Sequence, residues 1–266
     1  MKLPKYVGNV LIAATAIVYA GGRYVLPDHD KSGPVLTAAV EFVSPRFSGN
    51  SVVAGAGVMT AEALGAFSGS VAKLSHPRAL EDAFRSYFAY RAAHPADVKK
   101  PYLYFVDYGL PSTTPRGYVF DMNALRIVDG PFMVAHGRGS AADQNGVPTR
   151  FSNASGSAAT SLGLYLAAST YKFRGKMAGR SYSSVGLRLL GVSGGYNDNA
   201  LARGVVAHGA PYVTPTRAGR SEGCPAMEQS RAQQLLPKLA NGAMVFLFAP
   251  DARWMASDRW LMANVE

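Results

Sequence analysis

From Tyr102 onward, apolar and polar residues alternate with a period of two in a series of short runs. Tyr102 to Tyr108, Arg116 to Met122 and Pro131 to His136 each read as a strand, the first two joined across Gly109–Pro115 as a hairpin-like pair. Ser161 to Ala168, Ser184 to Val192, Ala202 to His208 and Ala243 to Phe248 repeat the pattern. The period becomes helical in two places. Ser75 is placed to cap a helix with Pro77 in its first turn, and Leu80, Ala83, Phe84, Tyr87, Phe88 and Arg91 follow at helical spacing as far as His94-Pro95. Pro225 to Leu239 is the second such stretch, with Pro237 expected to end or kink it and Asn241-Gly242 supplying the stop. About seven strands and two helices without regular βαβ alternation predict a mainly β fold, an antiparallel β-sandwich or barrel with a few helices.

The N-terminal part has a different texture. A basic start, Met1 to Lys5, precedes Val7 to Ala20, a largely apolar stretch without a charge, and Val18-Tyr19-Ala20 is a small-x-small cleavage pattern. That stretch is short for a membrane span, which needs about 20 apolar residues. Residues 1–26 therefore read as a signal peptide, with an N-terminal membrane anchor through residues 7–20 as the alternative and a buried helix as a third. Residues 27–74, rich in Gly, Ala, Ser and Val, read as a lead-in or linker. The domain proper is expected over 75–252, and 253–266 as a C-terminal tail.

At 266 residues, 48% hydrophobic and 17% charged, the chain is long and apolar enough for a proper core, which excludes a disordered protein. Its 28 glycines and 16 prolines suit many turns. The net charge of +10 is spread out, with no run longer than Lys99-Lys100 and no interleaved aromatics, so nucleic acid is not the expected partner. An exported basic protein instead meets an anionic envelope polymer or a membrane surface, unless the charge serves solubility alone.

Export also changes how the only cysteine, Cys224, is read. One cysteine forms no intramolecular bridge, so retaining an unpaired thiol outside the cytoplasm suggests use; the alternative is a small buried apolar side chain. Two segments frame it: Gly204-Val205-Val206-Ala207-His208-Gly209-Ala210, and Gly219-Arg220-Ser221-Glu222-Gly223-Cys224-Pro225-Ala226. A thiol attacks a carbonyl as the thiolate, and His208, sixteen positions upstream at the end of an apolar run, is a candidate base. Because Cys224 precedes Pro225, a favoured first helical residue, the sulfur is expected at a helix N-terminus where positive partial charge favours an anion. The N–H groups of Gly223 and Cys224 are then expected to face a developing oxyanion. A zinc site of His136, His208 and Cys224 is a formal alternative, although their spacing is unlike zinc motifs. Papain-like and NlpC/P60-like hydrolases place Cys well before His, the reverse of the order here. Sortases place His much further upstream and an Arg after the Cys.

A short His-to-Cys interval with Ser-x-Gly-Cys resembles the L,D-transpeptidases with the YkuD catalytic domain, in particular the murein L,D-transpeptidase catalytic domain branch. Matching segments run from about Tyr102 to Phe248. They include Val134-Ala135-His136-Gly137-Arg138-Gly139-Ser140, Phe151-Ser152-Asn153, Thr160-Ser161-Leu162-Gly163-Leu164-Tyr165 and Asn197-Asp198-Asn199-Ala200. The resemblance implies the L,D-transpeptidase type of β fold, Cys224 as nucleophile and His208 as general base. It also implies that the Gly209 carbonyl orients the imidazole, that Ser221 opens the cysteine motif, and that Gly223 serves the oxyanion. His136, Arg138, Arg220 and Asn197 are the candidate substrate-binding residues. Two departures stand out: Glu222 occupies the usual His position, and Pro225-Ala226 replaces the Arg or Asn common after Cys. The implied substrate is a peptidoglycan stem peptide, with a second stem, a protein lysine or water as acceptor, in the periplasm or cell envelope. No metal or organic cofactor is implied. Two rivals are a murein carboxypeptidase or endopeptidase of the same fold, and a non-catalytic envelope-binding module.

Overall fold

The computed structural model describes residues 49–177 and 179–263. The expectations for residues 1–26, the anchor included, and for 27–48 fall outside the described residues. An eight-stranded mixed sheet dominates, in the order β3-β2-β1-β10-β5-β6-β7-β9. Its strands are β1 (Tyr102–Asp107), β2 (Gly117–Asp121), β3 (Arg126–Phe132), β5 (Gly163–Met177), β6 (Arg180–Gly191), β7 (Val206–Gly209), β9 (Ala226–Met227) and β10 (Met244–Phe248). A second, two-stranded sheet pairs β4 (His136–Gly137) with β8 (Arg220–Ser221). The architecture is mainly β with few helices. Most neighbours in the large sheet are antiparallel, but β1 with β10, β7 with β9 and β4 with β8 are parallel.

Buried aromatic residues build the centre. α1 (Gly49–Phe67) presents Ala56, Thr60, Ala63 and Phe67 along one buried face, and α2 (Ala79–Ala93) buries Ala83, Phe84, Tyr87 and Phe88. Phe67 meets Phe84 and Phe120 with ring centroids 5.4 and 4.7 Å apart, which ties both helices to β2. The lead-in expected over 27–74 is thus, over 49–67, a helix packed on the sheet: its alanines allow the close approach. α2 starts where the period predicts, but Ser75 does not cap it. The buried Asp107 carboxylate at the end of β1 takes both the Ser75 hydroxyl, at 2.6 Å, and the Ser75 N–H, at 2.7 Å.

The C-terminal end is likewise ordered against the core rather than a tail. α4 (Ala252–Met255) and α5 (Arg259–Met262) bury Trp254 and Trp260, and the indole of Trp260 donates to the Val192 carbonyl at 2.7 Å. α3 (Gln229–Leu239) lies on β5, β6 and β7 and keeps Pro237 inside its last turn.

Four strands differ in extent from the periodicity, β7 by starting only at Val206. The third strand occupies Arg126–Phe132 rather than Pro131–His136, and His136 begins the small sheet instead. β5 and β6 each run on toward one another, pairing from Tyr165↔Gly191 to Met177↔Arg180 as one long hairpin. Tyr171, Phe173 and Tyr182 alternate there with Lys172, Arg174, Lys176 and serines, so the period of two persists through a basic stretch that hydropathy alone reads as loop.

Candidate active site

Parallel pairing of β7 with β9 brings the two segments together. His208 lies opposite Ala226, its N–H donates to the Pro225 carbonyl at 3.1 Å, and Ala210 N–H donates to Met227 at 2.9 Å. Cys224, two residues before Ala226, therefore sits level with Val206, two residues before His208. The Val206 N–H points at the Cys224 sulfur at 3.5 Å, and the sulfur lies 4.0 Å from the Gly204 carbonyl oxygen. The expected helix N-terminus at Cys224 is absent: Pro225 leads into a strand, and α3 begins only at Gln229. Without that dipole the thiol is pushed up by burial, which outweighs the lowering by the Val206 N–H and Arg203, and Glu222 adds to the rise. The resting group is a neutral thiol.

The His208 ring is held on two sides. Its Nδ1 is 3.2 Å from the Gly209 carbonyl oxygen, and the Phe173 ring stands edge-on to the imidazole at 5.7 Å. With Nδ1–H donating to that carbonyl, Nε2 is left as the basic nitrogen. Burial holds the imidazole below its usual value, opposed by the Gly209 carbonyl, so the ring is neutral near pH 7. Gly209 admits no side chain, since a Cβ would come within 2.6 Å of the Ser184 hydroxyl and 2.9 Å of the Gln229 Cα.

The cysteine turn is braced from within. Ser221 Oγ donates to the Cys224 carbonyl at 2.6 Å and accepts the Gly223 N–H at 3.2 Å. The Gly223 N–H is therefore engaged, and of the two expected oxyanion donors only the Cys224 N–H is left uncommitted among the described residues. Gly223 itself has φ +123°, with the Ala159 carbonyl oxygen 2.9 Å from where a Cβ would stand. A side chain there is excluded by backbone strain and by contact.

The four substrate-binding candidates are placed differently. Arg138 is exposed and its Nε lies 2.8 Å from both oxygens of Glu222, so the acidic residue beside the thiol faces an arginine. Arg220 reaches the Ala141 and Ala142 carbonyls at 3.4 and 3.3 Å. Asn197 is fully buried with its amide committed, donating to Leu164 O at 2.9 Å and accepting the Ser193 N–H at 2.9 Å. It clips the start of β5 to the segment that follows β6, inside the core and away from substrate. His136 is also fully buried; its Nδ1 accepts from the buried Arg116 guanidinium at 3.0 Å, and Nε2 has no partner among the described residues.

That burial, with Arg116 and Arg220 nearby, lowers His136 to about 3. The unfolded chain takes up this proton near the ordinary value of 6.5, so the folded state binds fewer protons between those limits. Stability is expected to be full above pH 6.5 and to fall as pH drops toward about 3, by about 1.4 kcal/mol per pH unit. Urea midpoints at several pH values measure this slope, and His136→Asn should flatten it.

Two groups at the site escaped the sequence reading. Arg203, half-buried, stands one residue before Gly204 and donates to Ser152 O at 2.7 Å, Ala159 O at 2.8 Å, Ser157 Oγ at 3.2 Å and Ser161 Oγ at 3.4 Å. Its partners are 42 to 51 positions away in sequence, so no local spacing announces it. The other is the inner face of the β5–β6 hairpin, Tyr171, Phe173 and Tyr182, which walls the site beside His208. Its alternation with basic residues was the available signal. Among the described residues no three His, Cys, Asp or Glu side chains gather to hold a metal ion. Among the same residues no helix is long and apolar enough to cross a membrane.

Comparison with solved structures gives only distant likenesses. An L,D-transpeptidase in complex with imipenem shares 12% identity at TM-score 0.34, covering 56% of this chain and 59% of that one. An L,D-transpeptidase from Mycobacterium smegmatis shares 14% at TM-score 0.32, covering 56% and 59%. One from Mycobacterium tuberculosis H37Rv shares 15% at TM-score 0.31, covering 56% and 57%. The chain thus spans less than two thirds of the length of these structures. No curated protein matches in sequence. A family model described as the L,D-transpeptidase catalytic domain matches residues 72–248, well over half of the chain, with the β7–β9 pair and the cysteine turn inside the matched span; the chain belongs to that family.

Proposed function

We propose that the protein is a cysteine-dependent L,D-transpeptidase acting on peptidoglycan stem peptides. The observation that carries this reading is the β7–β9 pairing, which sets a neutral, tautomerically fixed His208 on the strand beside the thiol of Cys224. Cys224 attacks the carbonyl of the L,D amide between a diamino acid and D-Ala, and its proton passes to His208 Nε2. His208 returns that proton to the nitrogen of D-Ala as the C–N bond breaks, leaving a thioester. An acceptor amine then attacks the thioester, gives its proton to His208, and the sulfur leaves to be reprotonated. A thiol turned toward Val206 and Gly204 must rotate toward the imidazole as substrate binds, an adjustment common between resting and reacting sites.

A basic surface supports an anionic polymer as partner. Lys172, Arg174, Lys176 and Arg180 are exposed on the hairpin, no acidic residue stands between Gly163 and Gly191, and none of the four is in an ion pair among the described residues. Envelope localisation with residues 1–26 as leader or anchor completes the reading.

The test is intact-protein mass spectrometry after adding a stem tetrapeptide, with and without an amine acceptor. A stem-sized increment on the Cys224 peptide, lost with formation of a cross-linked product when amine is present, supports transpeptidation. Free acid alone under both conditions assigns a carboxypeptidase, and no increment or turnover leaves an envelope-binding module. Imipenem, the ligand in one of the compared structures, is a second probe: a covalent increment on Cys224 is the expected result.

A further inference from the structure

The thiol site contains a fixed cation that the reaction scheme above does not use. Arg203 spends four N–H groups on the segment from Ser152 to Ser161, and no carboxylate pairs with it among the described residues. Its Nη2 lies 3.7 Å from the position a Cβ of Gly223 would take, and the next residue, Gly204, offers its carbonyl to the Cys224 sulfur at 4.0 Å. The same Nη2 holds the Ala159 carbonyl at 2.8 Å, the oxygen that lies against Gly223. The guanidinium is therefore clamped in one place between the 152–161 segment and the cysteine turn.

We infer that Arg203 is a positioning residue of the thiol site, presenting a fixed positive charge to Cys224 and pinning the Ala159 carbonyl beneath Gly223. The role rests on the reading of Cys224 as the reacting group and adds to it the source of its activation. With no helix N-terminus behind the sulfur, another positive neighbour is needed to favour the thiolate as it forms. The groups that face the sulfur leave few candidates. From its own turn comes Glu222, which opposes ionisation and is already matched by Arg138. From β7 comes neutral His208. Five tyrosines feel its charge: Tyr108, Tyr165, Tyr171, Tyr182 and Tyr212 are each pushed up by burial and further by a Cys224 thiolate. They remain phenols and supply no charge. Arg203 is the cation left to favour a thiolate, and its four hydrogen bonds keep it there at no cost of reorganisation during reaction.

The test is the pH dependence of Cys224 alkylation by iodoacetamide, which needs no substrate and no turnover. Arg203→Gln keeps a hydrogen-bond donor but removes the charge. Its alkylation midpoint is expected to move about one pH unit upward, as for losing a unit charge a few ångströms away in a partly buried site. Arg203→Lys keeps the charge and should hold the midpoint near that of the wild type, while losing the bidentate hold on the loop. An unchanged midpoint in the Gln variant overturns the inference. So does an equal rise in both variants, because the loop and not the charge would then set the thiol. A loss of stability alone would change the alkylation rate at every pH without moving the midpoint. If the Gln variant does not fold, a rise of a full unit in the Lys variant is sufficient to refute the charge role. Because alkylation is independent of the peptide substrate, failure of this inference stays distinct from failure of the transpeptidase reading.

Discussion

Cys224→Ala is expected to abolish acyl transfer, lowering turnover on a stem tetrapeptide by at least about a thousandfold. The contacts of the turn converge on this one residue. Ser221 bridges the Gly223 N–H and the Cys224 carbonyl, Val206 offers its N–H to the sulfur, and Gly223 takes a backbone conformation that excludes a side chain. Alanine leaves that frame in place and removes only the thiol, so the circular dichroism spectrum should be unchanged. The mass increment with stem peptide or imipenem should vanish with the activity. Residual turnover above one per cent would place the chemistry on another group. Cys224→Ser is expected to be nearly as inactive, because a half-buried hydroxyl beside a buried imidazole ionises far less readily than a thiol.

His208→Ala should cost about a hundred- to ten-thousandfold in the acylation rate, the range for a positioned general base. The accompanying pH profile is the sharper test. Burial holds the His208 imidazole below 6.5 and the Cys224 thiol above its ordinary value. The reacting form is then the neutral pair, and kcat/KM should plateau through neutral pH. The acid limb falls as His208 takes up a proton, at a pH below 6.5. The alkaline limb falls as the thiol ionises and no proton remains for the departing amine. An acid limb above pH 6.5 would instead show that burial does not hold the imidazole down in the reacting enzyme. Removing the Phe173 ring that stands against His208, as Phe173→Ala, should move the acid limb toward the ordinary value by admitting water.

Much of the scaffold is legible in the residues themselves. α2 is announced by its helical spacing from Leu80 to Arg91, and β1, β2 and β10 by alternation, because these elements bury one local face whatever lies beyond. The pairing of the His and Cys segments was readable too, since an apolar run ending in His and a Gly-Cys turn sixteen residues later form a compact unit. What surrounds the thiol was not. Pro225 is a good first residue of a helix, and that local preference lost to the demand of the sheet. β7 would otherwise expose an edge, and Ala226–Met227 covers it, with Pro225 and Met227 accepting N–H groups from the β7 segment. The helix dipole expected at the sulfur went with it. The Gly223 N–H was consumed by Ser221, Asn197 was drawn into the interior by the Leu164 and Ser193 backbone, and His136 by Arg116.

By itself, then, the sequence determined which groups can meet: the single thiol, the imidazole of His208, their order, and the β scaffold that carries them. Only the tertiary structure decided the electrostatics of that thiol. Side-chain identity and spacing are properties of the chain, whereas the charge and hydrogen bonds felt at the sulfur come from Arg203, Val206 and a hairpin wall. These are brought near by strand register and by contacts 42 to 51 residues long, which no local pattern encodes.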